Sequence, residues 1–237
     1  MSICLAIDTS SFIMGVALTD HGKTVAELTT NLKKNHSLRL MPAIEQMMKE
    51  ADISPRELEK IVVAKGPGSY TGVRIGVTTA KTMAWSLGIP VVGVSSLAVL
   101  AQAGRFFHGV IVPLMDARRG QVYTGSYIAQ GMEVRQQGED RLVLLTDWLD
   151  WLHEQQQDVL FIGQDVALHR ETIVERLGER ACFMPGAAQL PRPAELARLG
   201  DDLQGVPSPH ALVPDYLQLA EAEAKWQKAQ TEKGPTT

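Results

Sequence analysis

The chain opens on three apolar runs separated by polar breaks. Ile3 to Ile7 is continuously apolar and stops at Asp8-Thr9-Ser10-Ser11, Met14 to Thr19 resumes the pattern, and Thr24 to Asn31 follows the turn signal Asp20-His21-Gly22-Lys23. Short apolar runs joined by such turns predict strands, here an antiparallel meander. From His36 the period lengthens. Leu40, Ile44, Met47, Met48 and Ala51 fall at helical spacing, with Pro42 near the start, and predict an amphipathic helix from His36 to Ala51. Ser54-Pro55-Arg56-Glu57 supplies a cap, a proline at N1 and a glutamate at N3, so a short second helix is expected there. Ile61 to Ala64 then returns as a buried strand.

After a glycine-rich loop, Val73 to Leu87 reads as a helix closed by Gly88, with Pro90 beyond it. Gly76, Ala80 and Ala84 recur along it at spacing four, a bare ridge that another helix could approach closely. Val91 to Val94 is a further strand, and Ser95 or Ser96 caps a helix running toward Ala103. Val110 to Met115 and Gln121 to Ile128 are strands around Asp116-Ala117-Arg118-Arg119-Gly120, and Gln130 to Glu139 is a polar stretch. The rest reads as a helix near Trp148, a strand from Val159 to Ile162, a helix to Leu177, a strand near Phe183 and a helix from Ala194 to Leu203. Strands alternating with helices imply an α/β layer architecture. The two halves look loosely alike as strand-and-helix mixtures, and a charged tail follows at 220–237.

Composition narrows the function classes. With 237 residues, 45 % hydrophobic and 21 % charged, the chain is long enough for one large domain or two modest lobes. A net charge of −4 argues against gripping nucleic acid alone, because counterion release needs a basic face. Any RNA contact would come through a partner. No apolar run approaches the roughly 20 residues of a membrane span. The first eight residues read as a strand and not as a signal peptide, and two distant cysteines, Cys4 and Cys182, give no disulfide framework or metal spacing. A reducing, cytoplasmic setting fits.

The loop Lys65-Gly66-Pro67-Gly68-Ser69-Tyr70-Thr71-Gly72-Val73-Arg74-Ile75-Gly76 is the densest motif. A phosphate-binding P-loop needs lysine where Val73 stands, and a dinucleotide fingerprint needs one residue fewer between its glycines and an acid after the next strand. Both fail. A tight strand-to-helix turn capped by Ser69 or Thr71 accounts for the spacing. Other chemistry is thin. His36 has Leu40 four residues on, so the helix offers no paired metal ligands, and Ser95 and Ser96 lack the setting of a hydrolase nucleophile. Asp8 at a strand end suits either a water-mediated magnesium contact or a hydrogen-bonded turn. Arg118 and Arg119 suit either a phosphate or plain solvent.

Five blocks together resemble the TsaB (YeaZ) family: Ala6-Ile7-Asp8-Thr9-Ser10, His36 to Pro42, Lys65 to Gly76, Asp116-Ala117-Arg118-Arg119 and Pro214-Asp215-Tyr216-Leu217. They keep the family's order across nearly the whole chain, and the glycine block is the specific one. Gln218 departs from the arginine frequent in relatives. The resemblance implies an actin-like, Hsp70-like ATPase (ASKHA) fold of two lobes, 1–104 and 105–219 with the last segment of the second returning to the first, each a mixed sheet flanked by helices. It implies a non-catalytic subunit, without cofactor or metal, in the machinery that puts threonylcarbamoyl on the tRNA adenosine beside the anticodon. Its partners would be the catalytic paralogue TsaD, in a heterodimer, and the ATPase TsaE, with TsaC supplying the donor, tRNA reached only through the complex, and a homodimer as an alternative pairing. The turn Asp8, Thr9 and Ser10 would be a vestigial phosphate turn, since it lacks the glycine that ATP-using relatives place there. The partner surface would lie on the two long helices, at His36, Leu40, Ile44, Met47, Arg74, Gly76, Ala80 and Ala84. Against it stand a nucleotide-dependent enzyme using Asp8 and the glycine loop, a glycoprotease-like peptidase, and a self-associating module.

Overall fold

Strands β1 (Ile3–Asp8), β2 (Ile13–Asp20) and β3 (Lys23–Asn31) form the antiparallel meander, with Leu5 opposite Leu18 and Ile7 opposite Val16. The structure, a computed structural model, describes residues 2–218, so the polar tail expected from 220 lies outside them. Strands β4 (Leu58–Ala64) and β5 (Val91–Val94) extend the sheet in parallel to give the order β3-β2-β1-β4-β5. Helices α1 (His36–Glu50) and α2 (Tyr70–Leu87) cover one face. Strand β1 is buried at every position because both faces are covered. Its Ile3, Leu5 and Ile7 pack among α1 and α2, while Cys4 and Ala6 pack against Leu196 and Ala197 on the other side. This is the period of two expected of a strand between two helical layers.

The second half repeats the scheme. Strands β6 (Val110–Asp116), β7 (Gln121–Gln130), β8 (Glu133–Leu144), β9 (Val159–Ile162) and β10 (Ala181–Phe183) are ordered β10-β9-β6-β7-β8, again with an antiparallel meander and two parallel additions. Helices α4 (Leu145–Glu154) and α5 (Val166–Leu177) take the places of α1 and α2. The chain therefore has the two-lobed, actin-like α/β architecture. Three sequence expectations need correction. The polar stretch from Gln130 to Glu139 spans the last residue of β7, a two-residue turn and the first half of β8, which is polar because β8 is an edge strand. The turn at Pro55 has its capping box but remains a single 3-10 turn ending at Glu57. Helix α2 begins at Tyr70, three residues early, because Ser69 Oγ accepts the Gly72 N–H at 3.3 Å.

The lobes exchange their last helices. Helix α3 (Ser96–Ala101) follows the first sheet but packs on β6, β7 and β8, and α6 (Pro193–Asp201) follows the second sheet but packs on β1 to β5. Each crossover is held by an acid on the third strand of the lobe it enters. Ser95, the cap of α3, donates its hydroxyl to Asp140 of β8. Glu27 of β3 accepts the Ala194 N–H at 3.0 Å and pairs with Arg192 at 2.5 Å. Between the two helices, Glu195 binds Arg105 and Arg198, and Arg198 donates to Gln102 at 2.7 Å. The last described segment is a strap. Lys81 Nζ reaches the carbonyls of His210 and Leu212, Asp215 N–H donates to the Lys65 carbonyl at 2.7 Å, Tyr216 stacks on Tyr70, and Tyr123 of the second lobe donates to Gln218.

Candidate functional site

The glycine loop is packed backbone on backbone against the Asp8 turn. A Cβ at Gly68 would stand 2.2 Å from the Ser10 carbonyl oxygen, one at Gly72 2.1 Å from that of Thr9, and one at Gly76 2.5 Å from Thr9 Oγ1. At Gly66, where φ is +108°, it would stand 2.6 Å from the Asp215 carbonyl oxygen of the strap. No side chain fits those gaps. Ser69 N–H donates to the Ser10 carbonyl at 2.7 Å, and Thr9 Oγ1 to the Gly72 carbonyl at 2.7 Å. The loop thus fixes the start of α2 against the end of β1.

One oxygen of Asp8 closes its own turn. Asp8 Oδ1 accepts both the N–H and the hydroxyl of Ser10, at 2.9 and 2.7 Å. Burial pushes the Asp8 carboxyl above its ordinary range, against the lowering effect of those bonds and of His36. His36, at the head of α1, donates Nε2–H to the Ser11 carbonyl at 2.7 Å. Asp8 Oδ2 and His36 Nδ1 are buried without a partner. Both Ser10 donors go to Asp8, so a phosphate would have to displace that carboxyl to reach them.

Two concavities matter. Between the lobes, residues including Phe12, Leu100, Leu114, Met115, Gly163 and Asp165 enclose about 30 Å³, room for about one water. Between α1 and α2 an apolar groove of about 330 Å³ is lined by Ser37, Leu40, Met41, Thr71, Arg74, Ile75, Thr78 and Thr79. Of the eight residues expected at a partner surface, His36 is half-buried and Arg74 exposed. Leu40, Ile44, Met47, Gly76, Ala80 and Ala84 are buried against the chain's own sheet. The helical stripe and the small ridge mark the inward faces, since a helix lying on a sheet spends its apolar stripe there. The outward face carries Leu38, 74 % exposed, and Met41 instead.

Other candidates have structural partners. Ser95 Oγ accepts the N–H groups of Leu97 and Ala98, both at 3.2 Å, besides donating to Asp140. Asp140 also accepts from Tyr127 at 2.6 Å and Gln136 at 2.8 Å, and burial pushes its carboxyl up. Periodicity carries no signal for this acid, which directly follows the polar stretch Gln130 to Glu139. Cys4 is buried and its thiol is pushed up to about 12 by desolvation, so it is inert. Among the described residues no group of three or more His, Cys, Asp and Glu side chains is placed to hold a metal, and no helix is long and apolar enough to cross a membrane.

Fold and site define a doubled actin-like unit with an open groove between its first two helices. The sequence model of the TsaD family, described as tRNA N6-adenosine threonylcarbamoyltransferase, matches residues 23–226. The tRNA threonylcarbamoyladenosine biosynthesis protein TsaB of Bacillus subtilis is 53 % identical over 226 residues, 95 % of this chain and 98 % of that one. Its Escherichia coli namesake is 33 % identical over 125 residues, 52 % of this chain and 54 % of that one. A crystal structure from Pseudomonas aeruginosa, described as an uncharacterized protein with similarity to peptidase YEAZ, superposes with a TM-score of 0.77 at 29 % identity, covering 92 % of this chain and 100 % of the other. The chain belongs to the TsaB family.

Proposed function

We propose that the chain is a non-catalytic subunit of tRNA threonylcarbamoyladenosine synthesis, which binds and stabilises a TsaD-type catalytic subunit through the α1–α2 groove. The observation that carries this reading is the open apolar groove of about 330 Å³ between α1 and α2. A groove of that kind suits the docking of a partner helix. The inward-turned Asp8 and the placement of Leu40 in the core, four residues after His36, support the same reading.

The contact surface is then the outward row Leu38, Met41, Thr71, Arg74, Ile75 and Thr78, with Arg74 supplying the charge at its rim. A second copy of the chain would compete for that groove. TsaE, TsaC and tRNA act on the assembly. A peptidase reading finds no support in Ser95, whose hydrogen bonds go to Leu97, Ala98 and Asp140.

The test is a leave-one-out reconstitution with TsaC, TsaD, TsaE, ATP, threonine, bicarbonate and tRNA, reading modified adenosine by mass spectrometry. Modification should depend on this chain, and the chain alone should turn over no ATP. Equal modification without it would overturn the proposal, and ATP turnover abolished by Asp8→Ala would favour the enzyme reading.

A further inference from the structure

The strap runs along α2, antiparallel to the helix. The His210 ring lies 6.5 Å from that of Trp85 near the helix end, Lys81 Nζ donates to the carbonyls of His210 and Leu212 at 3.1 and 2.7 Å, and Tyr216 stacks on Tyr70 at the first turn, with ring centroids 4.6 Å apart. Leu212 drops into the core of the first lobe and holds the strap from below. On α2, Tyr70, Lys81 and Trp85 therefore face the strap, while Thr71, Ile75 and Thr78 face the groove. Arg74 lies between the two rows.

These contacts bring Tyr216 to the rim of the groove. Arg74 lines the groove and lies close enough to Tyr216 to act on its hydroxyl: burial pushes that hydroxyl up, Tyr70 adds to the push, and the guanidinium opposes it. Both rings remain open to a partner, Tyr70 at 43 % exposure and Tyr216 at 37 %. The chain on either side fixes Tyr216 in place. Asp215 N–H donates to the Lys65 carbonyl at 2.7 Å, and Gln218 accepts the Tyr123 hydroxyl at 3.1 Å. A ring held in this way loses little freedom when another surface covers it.

The charges at the groove are of one sign. Arg74 is the single charged side chain among the described residues that line it, and α2 as a whole carries Arg74 and Lys81 with no acid. Lys81 is engaged by the strap carbonyls, which leaves Arg74 as the exposed cation of this face. A second copy of the chain offers acids on these two helices only at Glu45 and Glu50, beyond the residues that line the groove. A carboxylate on another protein's helix complements the guanidinium directly, and tyrosine and arginine are the side chains that most often carry binding energy once covered.

We infer that the strap completes the docking surface, and that this surface takes an amphipathic helix with a carboxylate at its edge. The apolar side chains of that helix enter between α1 and α2, the carboxylate meets Arg74, and the ring of Tyr216 packs against the helix beside it. The inference rests on the proposed function in taking the helix from the catalytic subunit. It adds the sign of the partner's charge and a contact from the last described segment to an interface otherwise built from α1 and α2.

The experiment measures association of the full chain with the TsaD-type catalytic subunit by calorimetry at low and high salt, and amide hydrogen exchange of the strap with and without that subunit. Exchange across the strap should slow in the wild-type complex, a readout that needs no substitution. Tyr216→Ala should weaken association about tenfold and Tyr216→Phe by no more than about twofold, because the ring makes the contact. Arg74→Ala should weaken it about tenfold and remove most of its salt dependence. Strap amides indifferent to the partner, or a Tyr216→Ala chain that binds like wild type, would overturn the role of the strap. Salt dependence kept in full by Arg74→Ala would overturn the carboxylate. Failure of the proposed function is a different result, in which the wild-type chain does not bind the catalytic subunit at all. A chain that then pairs with itself through the strap would overturn the acidic helix as occupant, and one that stays alone would overturn the docking surface.

Discussion

Asp140 of β8 receives the Ser95 hydroxyl at the point where the chain leaves the first sheet for the second. The same carboxylate receives the buried Tyr127 hydroxyl, so one acid joins a helix cap, an edge strand and the core of the second lobe. Asp140→Ala should cost about 1–3 kcal/mol, read by chemical denaturation, because Tyr127 is left without its acceptor. The pH dependence has a definite sign. The folded carboxyl lies above its ordinary value of 3.8, so the folded chain keeps a proton that the unfolded chain has released. The contribution of this group to stability falls as pH rises from about 3.8 through the folded value. Asp140→Asn should flatten the stability profile across that acid window.

The glycine loop gives a graded prediction. Gly68→Ala and Gly72→Ala drive a Cβ into the carbonyl oxygens of Ser10 and Thr9, and each should cost about 3 kcal/mol or more. Gly131→Ala, at φ +64° with nothing within 4 Å, should cost about 1 kcal/mol. Melting temperatures of the three variants decide whether crowding or backbone freedom requires these glycines. Equal costs would refute the crowding argument.

Interface and core can be separated on the same two helices. Met41→Glu lies on the outward face and should leave stability within about 0.5 kcal/mol while weakening association with the catalytic subunit at least tenfold. Ala80→Leu, at a fully buried position, should lower stability by about 1–3 kcal/mol and affect association only through the unfolded fraction. Paired calorimetry and binding measurements check both. A stable Ala80→Leu variant that cannot associate would return the small ridge to the interface.

Thiol chemistry tests the burial of β1. Cys4, with its thiol near 12, should resist alkylation at pH 8 in the native chain, while the partly exposed Cys182 reacts. Intact-mass measurement should find one adduct at Cys182 before any at Cys4. Early labelling of Cys4 would mean that α6 leaves the sheet readily.

Strands buried on both faces were legible because they are unbroken apolar runs, as in Ile3 to Ile7 and Val159 to Ile162. Ser69 and Gly88 announced the ends of α2 through residues whose capping chemistry is local. What stayed hidden depends on neighbours far away in sequence. The polarity of β8 conceals a strand because its partner is on one side only. The crowding at Gly68 and Gly72 comes from residues about sixty positions earlier, and the pairing of Glu27 with the head of α6 spans 167 residues. The helical stripe containing Leu40 and Ile44 located α1 correctly, but periodicity reports an apolar face without saying whether it meets the chain's own sheet or another chain.

The exchange of α3 and α6 also sets an order of events at the ribosome. The face of the first sheet formed by Cys4, Ala6, Val62 and Val92 is covered by Leu196 and Ala197, which are synthesised only after the whole second sheet. An N-terminal lobe emerging alone would present that apolar face to solvent throughout translation of the second lobe, a window in which nascent chains are open to misassembly. The two lobes are separate in sequence, but neither can complete its own interior. Folding must finish as a single cooperative step once α6 arrives, and a chain truncated between the lobes should be captured by chaperones or aggregate instead of yielding a half-sized domain.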